Sequence, residues 1–123
     1  MNKKRSIIIG ATFLMLLIIY LNLDIDGYKG ADALESQLNR IIRDHDLEQM
    51  RRISSDNLSY TVLSGTSSKD AAVCDTDAQG GRDNLHFYIA RLKGNSLGVF
   101  MRRQYHFLLG PSYEIDQVKV LPK

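Results

Sequence analysis

The sequence predicts an α+β protein: an N-terminal transmembrane helix, then a small two-layer domain of one or two helices packed on an antiparallel sheet. Three observations predict it. Lys3, Lys4 and Arg5 precede an almost unbroken apolar run from Ile7 to Leu23. Leu34, Leu38, Ile41 and Ile42 then recur at helical spacing. From Leu85 onward, apolar-rich segments of strand length are separated by glycine-containing turns. The chain divides on this basis into a cytoplasmic tip and transmembrane helix (1–23), a linker (24–31) and an extracytoplasmic α+β domain (32–123).

The apolar run is read as a single-pass span formed by Ile7, Ile8, Ile9, Phe13, Leu14, Leu16, Leu17, Ile18, Ile19 and Leu21. At about 1.5 Å per residue, Ile7 to Leu23 reaches roughly 26 Å, close to a hydrocarbon core of about 30 Å. Lys3, Lys4 and Arg5 act as the topology signal and keep the N-terminus cytoplasmic, so the C-terminal domain faces outward. A cleaved signal peptide is the rival reading. Its small-x-small site, Ala31-Asp32-Ala33, lies far downstream and would remove the start of the next helix. An uncleaved signal-anchor is therefore expected, with the lipid bilayer and an integral membrane protein complex as partners.

Charge narrows the partners further. The chain has 16 basic and 14 acidic residues. Lys3, Lys4 and Arg5 account for three of the former, which leaves 13 basic against 14 acidic residues beyond Arg5. A near-neutral domain argues against nucleic acid, which needs a basic patch. The nearest approach to one is Arg91, Lys93, Arg102 and Arg103, which together are a candidate partner surface. A single cysteine, Cys74, excludes an internal disulfide, and its neighbours Asp75 and Asp77 disfavour a reactive thiolate.

Gly27 and Gly30 end any continuation of the first helix. Asp32 with Glu35 resembles a capping box at the start of the second. Asp46 with Gln49 marks another start, followed by Leu47, Met50 and Ile53. After Ser54-Ser55-Asp56, alternation of Leu58, Tyr60 and Val62 suggests a strand. Gly65 to Asn84 reads as a polar loop around a short apolar island at Ala71 to Cys74, with 80–84 its most flexible part. Leu85–Leu92, Leu97–Leu109 and Tyr113–Leu121 read as a meander, with turns at Lys93–Ser96 and Gly110–Ser112 and a kink near Gln104. Phe87, Ile89, Val99, Met101, Phe107, Ile115 and Val118 are expected to face the helices.

No nucleophile elbow, phosphate-binding loop or dinucleotide fingerprint is present. Asp75-Thr76-Asp77 begins like a calcium loop, but its twelfth position is His86 rather than a bidentate glutamate. His86 and His106 fall on neighbouring expected strands, and His45 lies between two aspartates at a helix junction. Asn57-Leu58-Ser59 is a sequon, relevant only in a eukaryotic secretory setting. Catalytic, cofactor and metal residues are thus expected to be absent. Tyr28, Tyr60, Tyr88, Tyr105, Tyr113 and Phe100 are expected to serve mainly as packing.

The segment Leu85-His-Phe-Tyr-Ile-Ala-Arg-Leu-Lys-Gly-Asn-Ser-Leu-Gly98, with Val99, Phe100 and Ser112-Tyr-Glu-Ile-Asp-Gln-Val-Lys-Val120, resembles the Coa1/Tim21-like group of small membrane-anchored domains. Gly94, Gly98 and Tyr113 match its turn, its next strand and the aromatic of its last strand. The resemblance implies an assembly or scaffolding role beside a membrane complex, cytochrome oxidase in the family's name. Asp46 to Tyr60 is similar to the helix-to-first-strand passage of the NTF2-like group, which includes periplasmic VirB8-type domains. That likeness implies oligomeric scaffolding or pocket binding. The expected function is a non-enzymatic accessory or assembly protein that binds protein partners. The alternative is a small-ligand or lipid-binding domain using the concave face of the sheet. The partner's identity and the oligomeric state stay open.

Overall fold

The computed structural model describes residues 2–22 and 29–122, with side chains placed at 2–20 and 29–122. Among the described residues, four helices precede four strands: α1 Lys3–Asn22, α2 Lys29–Arg43, α3 Leu47–Ile53, α4 Asn57–Ser64, β1 Gly80–Arg82, β2 Leu85–Leu92, β3 Asn95–His106 and β4 Gly110–Val120. The strands form one antiparallel sheet in the order β1-β2-β3-β4. Helices α2, α3 and α4 cover one face, so the two-layer α+β arrangement stands.

The membrane-spanning reading does not stand. Among the described residues, no helix is long and apolar enough to cross a membrane. This overturns the single-pass span at Ile7, Ile8, Ile9, Phe13, Leu14, Leu16, Leu17, Ile18, Ile19 and Leu21. With it go the signal-anchor and the orientation drawn from Lys3, Lys4 and Arg5. The physical reason is length. Those three cations lie inside α1, whose described residues run to Asn22. The apolar stretch within it, Ile7 to Leu21, measures only about 22 Å at the helical rise, against a hydrocarbon thickness of about 30 Å. Leu23, Tyr28 and residues 24–28 of the expected linker lie outside the described residues. Residues 29–31 already belong to α2, with Gly30 and Ala31 buried.

Helix α2 organises the domain. Leu34, Leu38, Ile41 and Ile42 form its buried stripe. Polar side chains on the two flanks of that stripe tie it to neighbouring backbone. On one flank, the Cys74 amide donates to Glu35 Oε1 (2.6 Å), and Asn39 exchanges two hydrogen bonds with Ala72 (2.7 and 3.1 Å). On the other, Gln37 Nε2 donates to Tyr113 O (2.6 Å) and Gln37 Oε1 accepts from the Ile115 amide (3.0 Å). Glu35 is therefore committed to the 71–74 segment and not to a capping box with Asp32. That segment is itself fastened to β2 by the Val73–Arg91 bridge.

Strand β4 is a sheet edge, and unpaired edges invite association. Here the edge is closed. Gln37 takes its first half, the Ser55 amide donates to Val118 O (2.9 Å), and Ser59 Oγ accepts from the Val120 amide (3.0 Å). Ser59 is fully buried because it belongs to α4, which replaces the strand expected at 58–64. Asp56 decides the outcome by accepting the Ser59 amide (2.8 Å) as N-cap. Leu58, whose alternation suggested a strand, is exposed.

These hydrogen bonds, the Ser59 hydroxyl's first among them, lower the pKa of the Asp56 carboxyl. A carboxyl depressed on folding contributes stability above its ordinary value near 3.9, and loses it as pH falls through the depressed one. Asp56→Asn retains a capping oxygen but cannot ionise. Urea midpoints of the two proteins are therefore expected to differ at pH 7, with the native protein higher, and to converge as pH falls through the depressed value.

The sheet also corrects the facing of β2. Its register places Tyr88 opposite Val99 and Ala90 opposite Leu97. Tyr88, Ala90 and Leu92 thus join Val99, Met101, Ile115 and Val118 in the core, while Phe87 and Ile89 lie on the opposite face. Phe87 packs there against Phe100, ring centroids 5.2 Å apart. Residues 80–82, expected to be loose, pair with β2 as β1. Lys93 and Gly94 carry positive φ (51° and 77°), the pattern of a two-residue hairpin turn whose second position suits glycine. The irregularity expected near Gln104 falls instead at Phe100/Met101, where Asp116 is the extra residue of β4. The last turn is Phe107–Leu109, so Pro111 lies within β4, at the edge where proline is tolerated.

Candidate interaction surface

Large apolar side chains left outside the core are not scattered. Apart from Leu47, Leu58 and Val73, those exposed among the described residues lie on α1 or on the β3–β4 hairpin. On α1 they occupy the whole circumference: Ile8, Phe13, Leu14 and Leu17 are all exposed. On the hairpin, Tyr105, Phe107, Leu108 and Leu109 project from the end of the sheet, Phe107 at 69% and Leu109 at 80% exposure. Helix α1 contacts β4, the second strand of that hairpin. Phe107, expected in the core, belongs to this surface because the turn carries it past the last helix-covered pairs.

The four cations singled out in the sequence separate into two pairs. Arg91 lies near one end of the β2–β3 ladder and Arg102 near the other, opposite Leu85. Six residues of strand, about 20 Å, lie between. Arg91 pairs with Asp75 (2.8 Å), Lys93 with Asp70 (3.5 Å) and Arg102 with Asp116 (2.8 Å). The Asp70 carboxyl has a lowered pKa, chiefly through the Ser67 amide it accepts, with Lys93 adding to the effect. Arg103 differs. Its Nε is buried with no hydrogen-bond partner, and it lines a cleft of about 450 Å³ with Asn84, Arg102, Gln104 and Tyr105. That cleft adjoins the apolar hairpin.

A second cleft, of about 560 Å³, opens between α2, α3 and the β3–β4 ladder. Arg40, Arg52, Asp44, Asp46 and Glu114 line it with both signs of charge. Several of its polar groups already have structural work: Gln37 holds β4, Asp46 caps α3 by accepting the Gln49 amide (3.2 Å), and Arg52 donates to Gln49 (2.9 Å).

His86 and His106 do not meet. His86 stands opposite Met101, five strand residues or about 17 Å from His106. His86 lies edge-on to Tyr113 at 6.0 Å. Among the described residues, no group of three histidine, cysteine, aspartate or glutamate side chains is placed to hold a metal. One contact escaped the sequence reading: His106 Nε2 lies 3.0 Å from Ser112 Oγ. A serine beside a histidine is the start of a nucleophile-base pair. Here both side chains are exposed across the hairpin, and among the described residues no carboxylate orients the ring. Cys74 is buried, and burial above all raises its thiol pKa, the wrong direction for a nucleophile. Tyr88 is packing, as expected of the tyrosines, and Tyr60 lies under the Arg51 guanidinium at 3.7 Å.

Fold and surface together define a small α+β domain, a β-meander backed by three helices, that presents an apolar helix and an apolar hairpin. No family model, no curated protein and no solved structure matches the chain.

Proposed function

We propose that this protein is a binding module that acts by holding a protein partner, as an accessory or assembly component of a larger complex. The observation that carries this reading is the gathering of exposed apolar side chains onto two elements, α1 and the β3–β4 hairpin, with α1 in contact with β4. A helix apolar on every side requires cover, and large exposed apolar patches mark interaction sites. The resemblance of 85–120 to Coa1/Tim21-like domains supports the same reading, since it implies an assembly role.

The experiment is the mass of the particle in which the full chain resides when isolated from its source. The native protein is expected in a particle of defined composition containing another polypeptide. Replacing Ile8, Leu14 and Leu17 by serine is expected to release it. A particle holding only copies of this chain, or the lone chain, would overturn the reading.

A further inference from the structure

We infer that the β3–β4 hairpin docks a partner polypeptide segment in which a carboxylate lies about four residues from apolar side chains. The carboxylate would pair with Arg103, and the apolar residues would cover Phe107, Leu108 and Leu109. This deepens the partner-binding reading and rests on it.

Three observations converge. Arg103 is the one of the four singled-out cations without an acidic side chain bound to it, and its Nε is buried without a hydrogen-bond partner. A buried donor left unpaired is unfavourable, and a guanidinium is shaped to receive a carboxylate in a bidentate pair. The cleft it lines has room for that group, and Asn84 and Tyr105 lie on its walls as further hydrogen-bonding groups. Beyond it, the hairpin turn exposes Phe107, Leu108 and Leu109, which make no part of the core. Arg103 and the turn are about 13 Å apart along β3, the reach of four extended residues.

A guanidinium would also receive a phosphate, so an anionic lipid surface is the competing occupant. Charge balance favours the polypeptide. The chain beyond Arg5 carries 13 basic and 14 acidic residues, and the cleft's other cation, Arg102, is neutralised by Asp116. An anionic surface draws proteins by clustered, unpaired cations. A single directional guanidinium beside an apolar tip is suited to one carboxylate on one chain.

The test places a photoreactive benzophenone amino acid at position 108 of the full chain in its source cell, and at position 14 in a second protein. The linked peptide is then sequenced by mass spectrometry. A linked segment of another polypeptide, carrying Asp, Glu or a chain terminus beside apolar residues, is expected. Its yield should fall about tenfold or more with Arg103→Gln, the loss typical of removing one member of a desolvated charge pair. Leu109→Ser, at a side chain outside the core, should lower it as well and decides the matter if Arg103→Gln melts early. Links only to lipid or to a second copy, a linked segment without a carboxylate, or a yield indifferent to both substitutions would overturn the inference. Links at 14 without links at 108 would sink the hairpin site and leave the partner reading intact. Links at neither would sink both.

Discussion

Replacing Leu38 by alanine is expected to destabilise the domain by about 2–5 kcal/mol, the range for removing a buried leucine where the cavity cannot collapse. Leu38 is fully buried in the middle of the α2 stripe. Its helix is held on both flanks, by Glu35 and Asn39 on one side and Gln37 on the other. The helix is therefore unable to slide inward and fill the void. Domains of this size have about 5–15 kcal/mol in total, so the loss removes a large share. Leu108→Ala deletes the same atoms from the hairpin turn, outside the core, and is expected to change stability by less than about 0.5 kcal/mol. Urea unfolding of both proteins reads the contrast. Equal effects would contradict the division between a core at α2 and an external surface at the hairpin.

Gly30→Ala is the second large effect. An alanine Cβ at this position would overlap the Tyr88 hydroxyl and stand 2.5 Å from its Cζ. Tyr88 is fully buried against the sheet, so its ring has no space to yield. Overpacking of this kind costs about 1–3 kcal/mol, which outweighs the gain of up to about 1 kcal/mol for alanine over glycine in a helix. Tyr88→Phe removes the overlapping oxygen. Gly30→Ala with Tyr88→Phe is therefore expected to be more stable than the two single effects summed, by at least about 0.5 kcal/mol. Strict additivity would mean that the start of α2 moves aside instead.

The sequence carried the parts of this fold whose period is unambiguous. Leu34, Leu38, Ile41 and Ile42 can share one side only on a helix, and they do. Strand β2 runs from Leu85 to Leu92 as expected. Its facing was not legible, because Leu85, Phe87 and Ile89 are as apolar as Tyr88, Ala90 and Leu92, and only pairing with β3 chooses between them. Helix α4 was misread because Leu58, Tyr60 and Val62 alternate by accident, whereas the deciding groups are a capping aspartate and a buried serine. Glycines at 80 and 81 suggested looseness but permit a strand with φ of 145° and 154°. The run of apolar residues at the N-terminus was plain, but it included Leu23, outside the described residues, and no described helix is long and apolar enough to cross a membrane.

The interaction surface was half legible. Arg102 and Arg103 stood out as charges, but only the fold shows that one is neutralised and the other is not. Phe107, Leu108 and Leu109 look in sequence like the continuation of a strand. Their exposure follows from where the turn falls, a property of the β3–β4 register and not of composition.

If the proposed function is right, α1 and the hairpin are both covered by a partner polypeptide. Hydroxyl-radical footprinting of the full chain inside its native particle, compared with the released chain, tests it most directly. Joint protection of Phe13, Leu14, Phe107, Leu108 and Leu109 is expected in the particle, while Leu47 and Leu58, exposed elsewhere, react alike in both states. Equal reactivity of the two regions in both states would contradict it, and so would protection reproduced in full by a detergent micelle without any partner polypeptide.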